Sequence, residues 1–190
     1  MGMNEKRKWF PGIQGDRIFL REVCLADVND RYLGWMSDPK VTKYTESRFS
    51  SNNMEKLKED VRQKLDNRNI FFLAIIRKDT DRHIGNIKLG PIDWNHLLAD
   101  VGVMIGDIDS WGQGCATEAI GLLACYAFQE LNLHKLTAGY YAANKGSEKA
   151  FLNNGFRVEG VRKRHRICEG EYMDTVILGL LKEEWQNGKS

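Results

Sequence analysis

Residues 110–119 read SWGQGCATEA and lie between a strand-like run ending near Ile105 and the most strongly helical run of the chain. Gly112, Gly114 and Ala116 leave the stretch almost bare of side chain. Behind it, Ile120, Leu123, Ala124, Ala127 and Leu131 fall on one face at helical spacing. Glycine permits positive φ and removes the Cβ that would block close approach. The following helix begins with unpaired N–H groups and a partial positive charge. Strand, bare turn and helix start together form a seat for an anion, above all a phosphate. The spacing is not G-x-G-x-x-G, and no Lys-Ser/Thr follows, so neither the dinucleotide nor the P-loop fingerprint applies. A tight turn without a ligand has the same spacing.

The flanking pattern sets the fold class. Residues 17–23 alternate apolar and charged side chains as a half-buried strand does. Asp27 opens a helical stretch with Val28, Tyr32, Leu33 and Trp35 on one face, and Asp38-Pro39 stops it. Residues 41–53 are polar and irregular, and residues 54–65 carry Leu57, Val61 and Leu65 four apart on a charged helix. IFFLAII at 70–76 reads as a buried strand. Residues 83–89 and 100–105 are further strands, 117–131 the main helix and 136–141 a strand. Residues 147–154 form a helix closed by Gly155, and 156–161 and 175–181 are final strands. The order predicts an α/β fold with a mixed sheet.

At 190 residues the chain has the length of one domain, expected over 11–190, with residues 1–10 as a disordered terminus. The terminus has no apolar signal core, and the apolar stretch at 121–128 is too short for a bilayer, so no membrane partner is expected. A net charge of +2 sets up no field for nucleic acid. Cys24, Cys115, Cys125 and Cys168 are scattered, with no CxxC and no paired histidine spacing. That pattern predicts no metal site and reduced thiols, as in a cytoplasmic protein.

Trp111, Gly112, Gln113, Gly114, Cys115 and Ala116, followed by Thr117-Glu118-Ala119, resemble the pyrophosphate-binding motif of the GNAT acetyltransferases. NKGSEKAFLNNGF, with Asn144, Ser147 and Gly155-Phe156, is similar to that family's N-x-x-S … G-F segment. EGEYMDTVILGLLKEEW resembles the closing hairpin of its ribosomal-protein N-terminal acetyltransferase branch. The resemblance implies the GNAT (acyl-CoA N-acyltransferase) fold, a mixed, mostly antiparallel sheet with splayed central strands and flanking helices. It implies acetyl-CoA as donor. Residues 102–106 would offer backbone groups to the pantetheine arm, with Met104 and Ile105 beside the thioester. The N–H groups of Gln113, Gly114, Cys115, Ala116 and Thr117 would hold the pyrophosphate, Asn144 would meet the donor near its pantetheine, and Phe151 would pack along it. Trp111 stands where many relatives carry Arg or Gln. Phe151 stands where many carry a tyrosine acid, which excludes tyrosine acid catalysis at that position.

Acetyl transfer needs a neutral amine, so a base or a water chain must take one proton. Asp100, which begins the strand leading to the turn, is the candidate base, or else a solvated strand-end carboxylate. The Ile105 N–H is the candidate oxyanion donor. Ser147 is the candidate acid, since it resembles a serine that some N-terminal acetyltransferases place near the sulfur. Serine is equally a favoured helix N-cap. Tyr140 and Tyr141 are fallback donors, whereas His83 and His134 read as surface or capping residues. Tyr44, Asn86 and Trp94 are expected to border the acceptor. The basic run 162–166 is a solvated strand or a phosphate contact.

The leading expectation is direct transfer to a primary amine by a monomer or homodimer. HIGNIKLGPI looks like sugar-modifying relatives and favours a small-molecule amine such as a nucleotide-linked aminosugar. The ribosomal-protein resemblance favours a peptide N-terminus. A non-catalytic acyl-CoA-binding module on the same fold is the third expectation.

Overall fold

FFLAIIR at 71–77 has no polar side, and the computed structural model, which describes residues 10–50 and 53–188, shows why. Phe71, Leu73 and Ile75 enter one apolar core while Phe72, Ala74 and Ile76 enter another on the opposite face of the same sheet. A strand covered on both faces reads as an unbroken apolar run.

In chain order the elements are β1 (Ile13–Gln14), β2 (Ile18–Glu22), α1 (Asp30–Ser37), α2 (Pro39–Thr42), α3 (Met54–Asp66), β3 (Phe71–Arg77), β4 (His83–Asp93), β5 (Leu98–Ile105) and α4 (Cys115–Gln129). They continue with β6 (Lys135–Tyr141), α5 (Lys145–Leu152), β7 (Arg157–Cys168), β8 (Glu171–Leu181) and α6 (Lys182–Asn187). Short 3-10 turns occupy Leu25–Asp27, Glu46–Phe49 and Ile108–Ser110. The strands form one eight-stranded sheet in the order β1-β2-β3-β4-β5-β6-β8-β7. Every neighbouring pair is antiparallel except β5 and β6. This is the mixed, mostly antiparallel arrangement that the resemblance implies.

The larger core lies between the sheet and α4, whose Ala119, Ile120, Leu123, Ala124 and Ala127 pack on Leu20, Ile75, Ile87 and Leu136. The second core sets Tyr32, Trp35 and Met36 of α1 and Leu57 and Val61 of α3 against the other face of β3.

Several boundaries move for identifiable reasons. The first helix starts at Asp30, because Asn29 accepts from the N–H groups of Arg31 and Tyr32. Asp27 is instead held in a two-point ion pair by Arg21, at 2.6 and 2.7 Å. The segment read as irregular holds α2 and a 3-10 turn. β1 and α6 are too short for periodicity to reveal. The last two strands are longer than expected, because Glu169 and Gly170 at the tip both take positive φ and close a tight hairpin. Phe10 is not part of a loose terminus: it is 3% exposed and packs its ring on Tyr126 and Phe71. The rest of that expected terminus, residues 1–9, lies outside the described residues. No helix among the described residues is long and apolar enough to cross a membrane.

Candidate active site

Parallel pairing of β5 with β6 covers only Leu98↔Lys135, Ala99↔Leu136 and Asp100↔Thr137. Beyond Asp100 each strand keeps its outer partner, β4 through Gly85↔Ile105 and β8 through Tyr141↔Thr175, but the two no longer pair with each other. Exposure follows the split: Ala99 and Val101 are buried, and Gly102, Val103, Met104 and Ile105 are half-buried. Backbone polar groups along such an edge require water or an extended ligand with its own amides.

The bare turn sits at the open end of this split. Gly114 is the N-cap of α4 with φ 81° and no side chain to cap the helix. The Glu118 N–H bonds the Gly114 carbonyl at 3.0 Å, so the N–H groups of Cys115, Ala116 and Thr117 precede the first helical bond. The left-handed Gly114 starts the helix two residues before the expected Thr117. Three side chains brace the turn. The Trp111 indole donates to the Ile105 carbonyl at 2.9 Å. Gln113 accepts from Arg77 at 2.6 Å and donates to the Asp109 carbonyl at 2.5 Å, so its side chain is occupied and only its backbone is on offer. Arg17 lies beside the turn, its Nη1 3.6 Å from where a Cβ on Gly114 would stand and 3.7 Å from Glu118 Oε2. Burial raises the Cys115 thiol above its ordinary pKa, which keeps it protonated and inert.

Strand alternation puts Asp100, Gly102 and Met104 on the face covered by α1 and α3, with Asn86 directly opposite Met104. Asp100 is exposed toward the opening, yet the protein crowded around its carboxyl raises its pKa. Lys88 and a hydrogen bond from Thr137 at 3.3 Å oppose that shift. The Lys88 stem crosses bare Gly102, its Cε 4.0 Å from the place a Cβ would occupy. Asn86 is 4% exposed, and its Oδ1 meets His83 Nε2 at 3.0 Å while the same nitrogen lies 2.9 Å from the Gly85 carbonyl. His83 is therefore buried rather than on the surface. It packs edge-on against Trp35, and burial lowers its pKa, so the ring is neutral.

On the other side of the split, Asn144 rather than Ser147 caps α5, its Oδ1 accepting from the Ser147 N–H at 3.1 Å. The capping alternative for Ser147 falls away: its hydroxyl makes no hydrogen bond among the described residues. Tyr140 points under α5 and donates to Glu148 at 3.1 Å, and burial, that hydrogen bond and the nearby charge push its pKa up to about 12. Tyr141 lies on the opposite face, level with Met104 across the split. It stacks against Tyr44 with centroids 5.7 Å apart, accepts from Arg48 and donates to Glu46.

Two expected site residues lie elsewhere. Trp94 is 43% exposed in the β4–β5 turn and donates to Asn69, at the end where β5 and β6 still pair. Strand rise places it roughly 25 Å along β4 from Asn86. Phe151 is 2% exposed and packs edge-on against Phe156 in the core, so it supports α5 from beneath and does not face the opening. Of the basic run, Arg166 pairs with Glu46 and Lys163 with Asp174, while Arg164 sits over the Tyr172 ring.

Three buried side-chain atoms lack a hydrogen bond among the described residues: Asn86 Nδ2, Thr175 Oγ1 and Glu118 Oε2. Unsatisfied buried polar atoms are rare and call for a physical account. Asn86 and Thr175 stand on the same face on either side of the split, whereas Glu118 lies on the opposite face, its other oxygen accepting from the Arg17 and Ile18 N–H groups. Sequence reasoning missed Thr175, Arg48 and Arg17, because nothing local marks a residue brought in by a distant strand. No group of three metal-binding side chains occurs among the described residues.

A family model of the acetyltransferase (GNAT) domain matches residues 17–157. The N-acetyltransferase p20 of Bacillus licheniformis is 30% identical, covering 90% of this chain and 96% of its own. The [ribosomal protein uS5]-alanine N-acetyltransferase of Escherichia coli is 29% identical over 63% of this chain and 61% of its own. Among solved structures, spermidine N-acetyltransferase from Vibrio cholerae in complex with CoA and spermine superposes with a TM-score of 0.79 at 21% identity. That match covers 90% of this chain and 99% of that one.

Proposed function

The chain belongs to the GNAT acetyltransferase family and is an acetyltransferase, and from that premise we propose direct transfer from acetyl-CoA to the primary amine of a small molecule, with the amino group of a nucleotide-linked sugar as the leading instance. The observation that carries the reading is the split between β5 and β6 opening onto the uncapped N-terminus of α4. An unpaired strand edge suits the amides of a pantetheine arm, and free helical N–H groups suit a pyrophosphate. In this reading residues 102–106 pair with the donor, and the N–H groups of residues 113–117 hold its phosphates. Asn144 keeps its amide nitrogen for the donor, since its Oδ1 alone is used in the cap.

Bound acetyl-CoA supplies an activated acetyl carbon. The amine nitrogen bonds to that carbon and the carbon–sulfur bond breaks; the nitrogen loses one proton and the sulfur gains one. Asp100 takes the amine proton through water, and its raised pKa makes it a better base than an ordinary carboxylate. The Ile105 N–H stabilises the oxygen on which charge develops. The free hydroxyl of Ser147 gives the proton to sulfur.

Incubation with acetyl-CoA and a panel of peptides, polyamines, aminoglycosides and UDP-linked aminosugars tests the reading, with product detected by mass. Acetylation of a small amine is expected, and turnover confined to peptides overturns it. Peptide turnover would instead support the second reading, protein N-terminal acetylation, which the similarity to the uS5-alanine enzyme favours.

A further inference from the structure

A cavity of about 400 Å³ opens between α1–α2, the segment that follows them and the tip of the β7–β8 hairpin, within the size range of small-molecule sites. Its polar lining consists of two cations, Lys43 and Arg48, four hydroxyls, from Ser37, Thr42, Ser47 and Ser50, and one carboxylate, Glu169. Arg48 donates to the carbonyls of Lys43, Thr45 and Ile167 and to the Tyr141 hydroxyl, at 3.2, 2.6, 2.5 and 2.7 Å. None of these acceptors is a carboxylate, so the guanidinium charge is not neutralised by an ion pair. The carboxylates around this rim are already committed: Glu169 to Lys43, Glu46 to Arg166 and Asp174 to Lys163, so Lys43 is neutralised by its pair and Arg48 is the lining cation without a carboxylate partner among the described residues. The aromatic faces are committed too, with Lys43 over Tyr44 and Arg48 over Tyr141 and Phe49. A polycationic acceptor would find its recognition groups occupied by the chain's own cations.

The cavity adjoins the split. Arg48 bonds the hydroxyl of Tyr141, which stands level with Met104 across the opening. We propose that this cavity takes an anionic group, phosphate or carboxylate, carried by the acceptor whose amine reaches the split. The proposal rests on the amine-acetylating function above and narrows its substrate to amines bearing an anion. The basic run 162–166, read from the sequence as a solvated strand or a phosphate contact, contributes no residue to this lining, and the proposed anion contact is Arg48.

Full-length protein saturated with CoA is titrated calorimetrically with glucosamine 6-phosphate, glucosamine, alanine, alanine amide and spermidine. The same compounds are assayed as acceptors with acetyl-CoA. Each anionic member is expected to bind at least tenfold more tightly than its uncharged counterpart, and Lys43→Glu to abolish that advantage. Lys43→Met, which adds no repulsion, should reduce it by a smaller factor and covers the case in which charge reversal disturbs the loop. Preference for the sugar phosphate over alanine assigns the site to phosphate, and the reverse assigns it to carboxylate. Equal binding of charged and uncharged members, or tightest binding of spermidine, overturns the proposal. Anion-dependent binding without acetylation of any amine would leave this site standing and remove the acetyl-transfer reading. Acetylation without charge preference would do the opposite.

Discussion

Gly85→Ala is expected to push β4 and β5 apart where the candidate transfer site is built. A Cβ on Gly85 would lie 2.2 Å from the Met104 carbonyl oxygen and 2.8 Å from Ile105 Cα. Both are backbone atoms, so no rotamer change relieves the contact, and the strands must part by roughly 1 Å to restore van der Waals distance. Overpacking of this kind costs about 1–3 kcal/mol. Loosening the Gly85–Ile105 pair adds about 1 kcal/mol for each hydrogen bond lost. The sum, about 2–4 kcal/mol, corresponds in a chain of this size to a melting point lowered by roughly 5–15 °C. Because Met104 and Ile105 end the displaced strand, a shift on the order of 1 Å should also lower kcat/KM about a hundredfold. Gly102→Ala on the same strand is the comparison, since its Cβ would meet only Lys88 Cε at 4.0 Å. It should be neutral or stabilising by about 0.5–1 kcal/mol, as expected where glycine is replaced in a strand without steric conflict. Thermal unfolding by circular dichroism and steady-state transfer assays read both effects. A Gly85→Ala protein that melts and turns over like the parent, or a Gly102→Ala protein equally damaged, would refute the reasoning.

Ser147→Ala should leave the stability within about 0.5 kcal/mol of the parent, because Asn144 caps the helix. It should slow turnover about tenfold or more, and unchanged kcat removes the serine from proton transfer. Asp100→Asn should abolish the acid limb of the kcat/KM profile, which lies above the ordinary carboxylate range because the raised pKa keeps the carboxyl protonated to higher pH. A carboxyl raised in the folded state destabilises the fold above that pKa, so the same variant should gain stability at neutral pH; superimposable pH profiles would exclude Asp100 as the base. Burial alone would raise Asp27, but the Arg21 pair and the Cys24 N–H hold it below the ordinary value. Its stabilisation is present above about pH 4 and is lost as pH falls through the lowered folded pKa. Asp27→Asn should cost about 1.5–3 kcal/mol at neutral pH and flatten the acid side of the stability curve, which urea titrations at several pH values would read.

The parts of the site that were legible in the sequence are those whose physics is local. Gly112 and Gly114 announce a turn because only glycine accepts φ of 72° and 81° at no steric cost. The apolar stripe of α4 announces its helix because burial of one face repeats every turn. FFLAIIR was legible as a strand for a different reason, since burial on both faces leaves an unbroken apolar run. Caps were less so: Asn144 and Ser147 are both good capping residues three apart, and only the backbone path at 144 chooses between them.

Longer-range features were decided by the tertiary structure alone. Trp94 was expected with Asn86 at the acceptor, but the eleven residues of β4 carry the indole to the end of the strand remote from Asn86. Phe151 was expected to pack along the donor, yet its packing edge-on against Phe156 turns it into the core. Which face Tyr141 takes, and that Arg48 reaches it across 93 positions of sequence, follows from strand pairing that no local pattern encodes. The sequence by itself therefore determined the fold family and the glycine turn that opens α4, because both are written in turn chemistry and periodicity over a few residues. The splay between β5 and β6, the unsatisfied Asn86 and Thr175 atoms flanking it and the cavity at its rim exist only once distant strands and loops meet. They depend on register and crossing geometry, and one residue of slip in its strand would turn Asn86 or Thr175 to the opposite face.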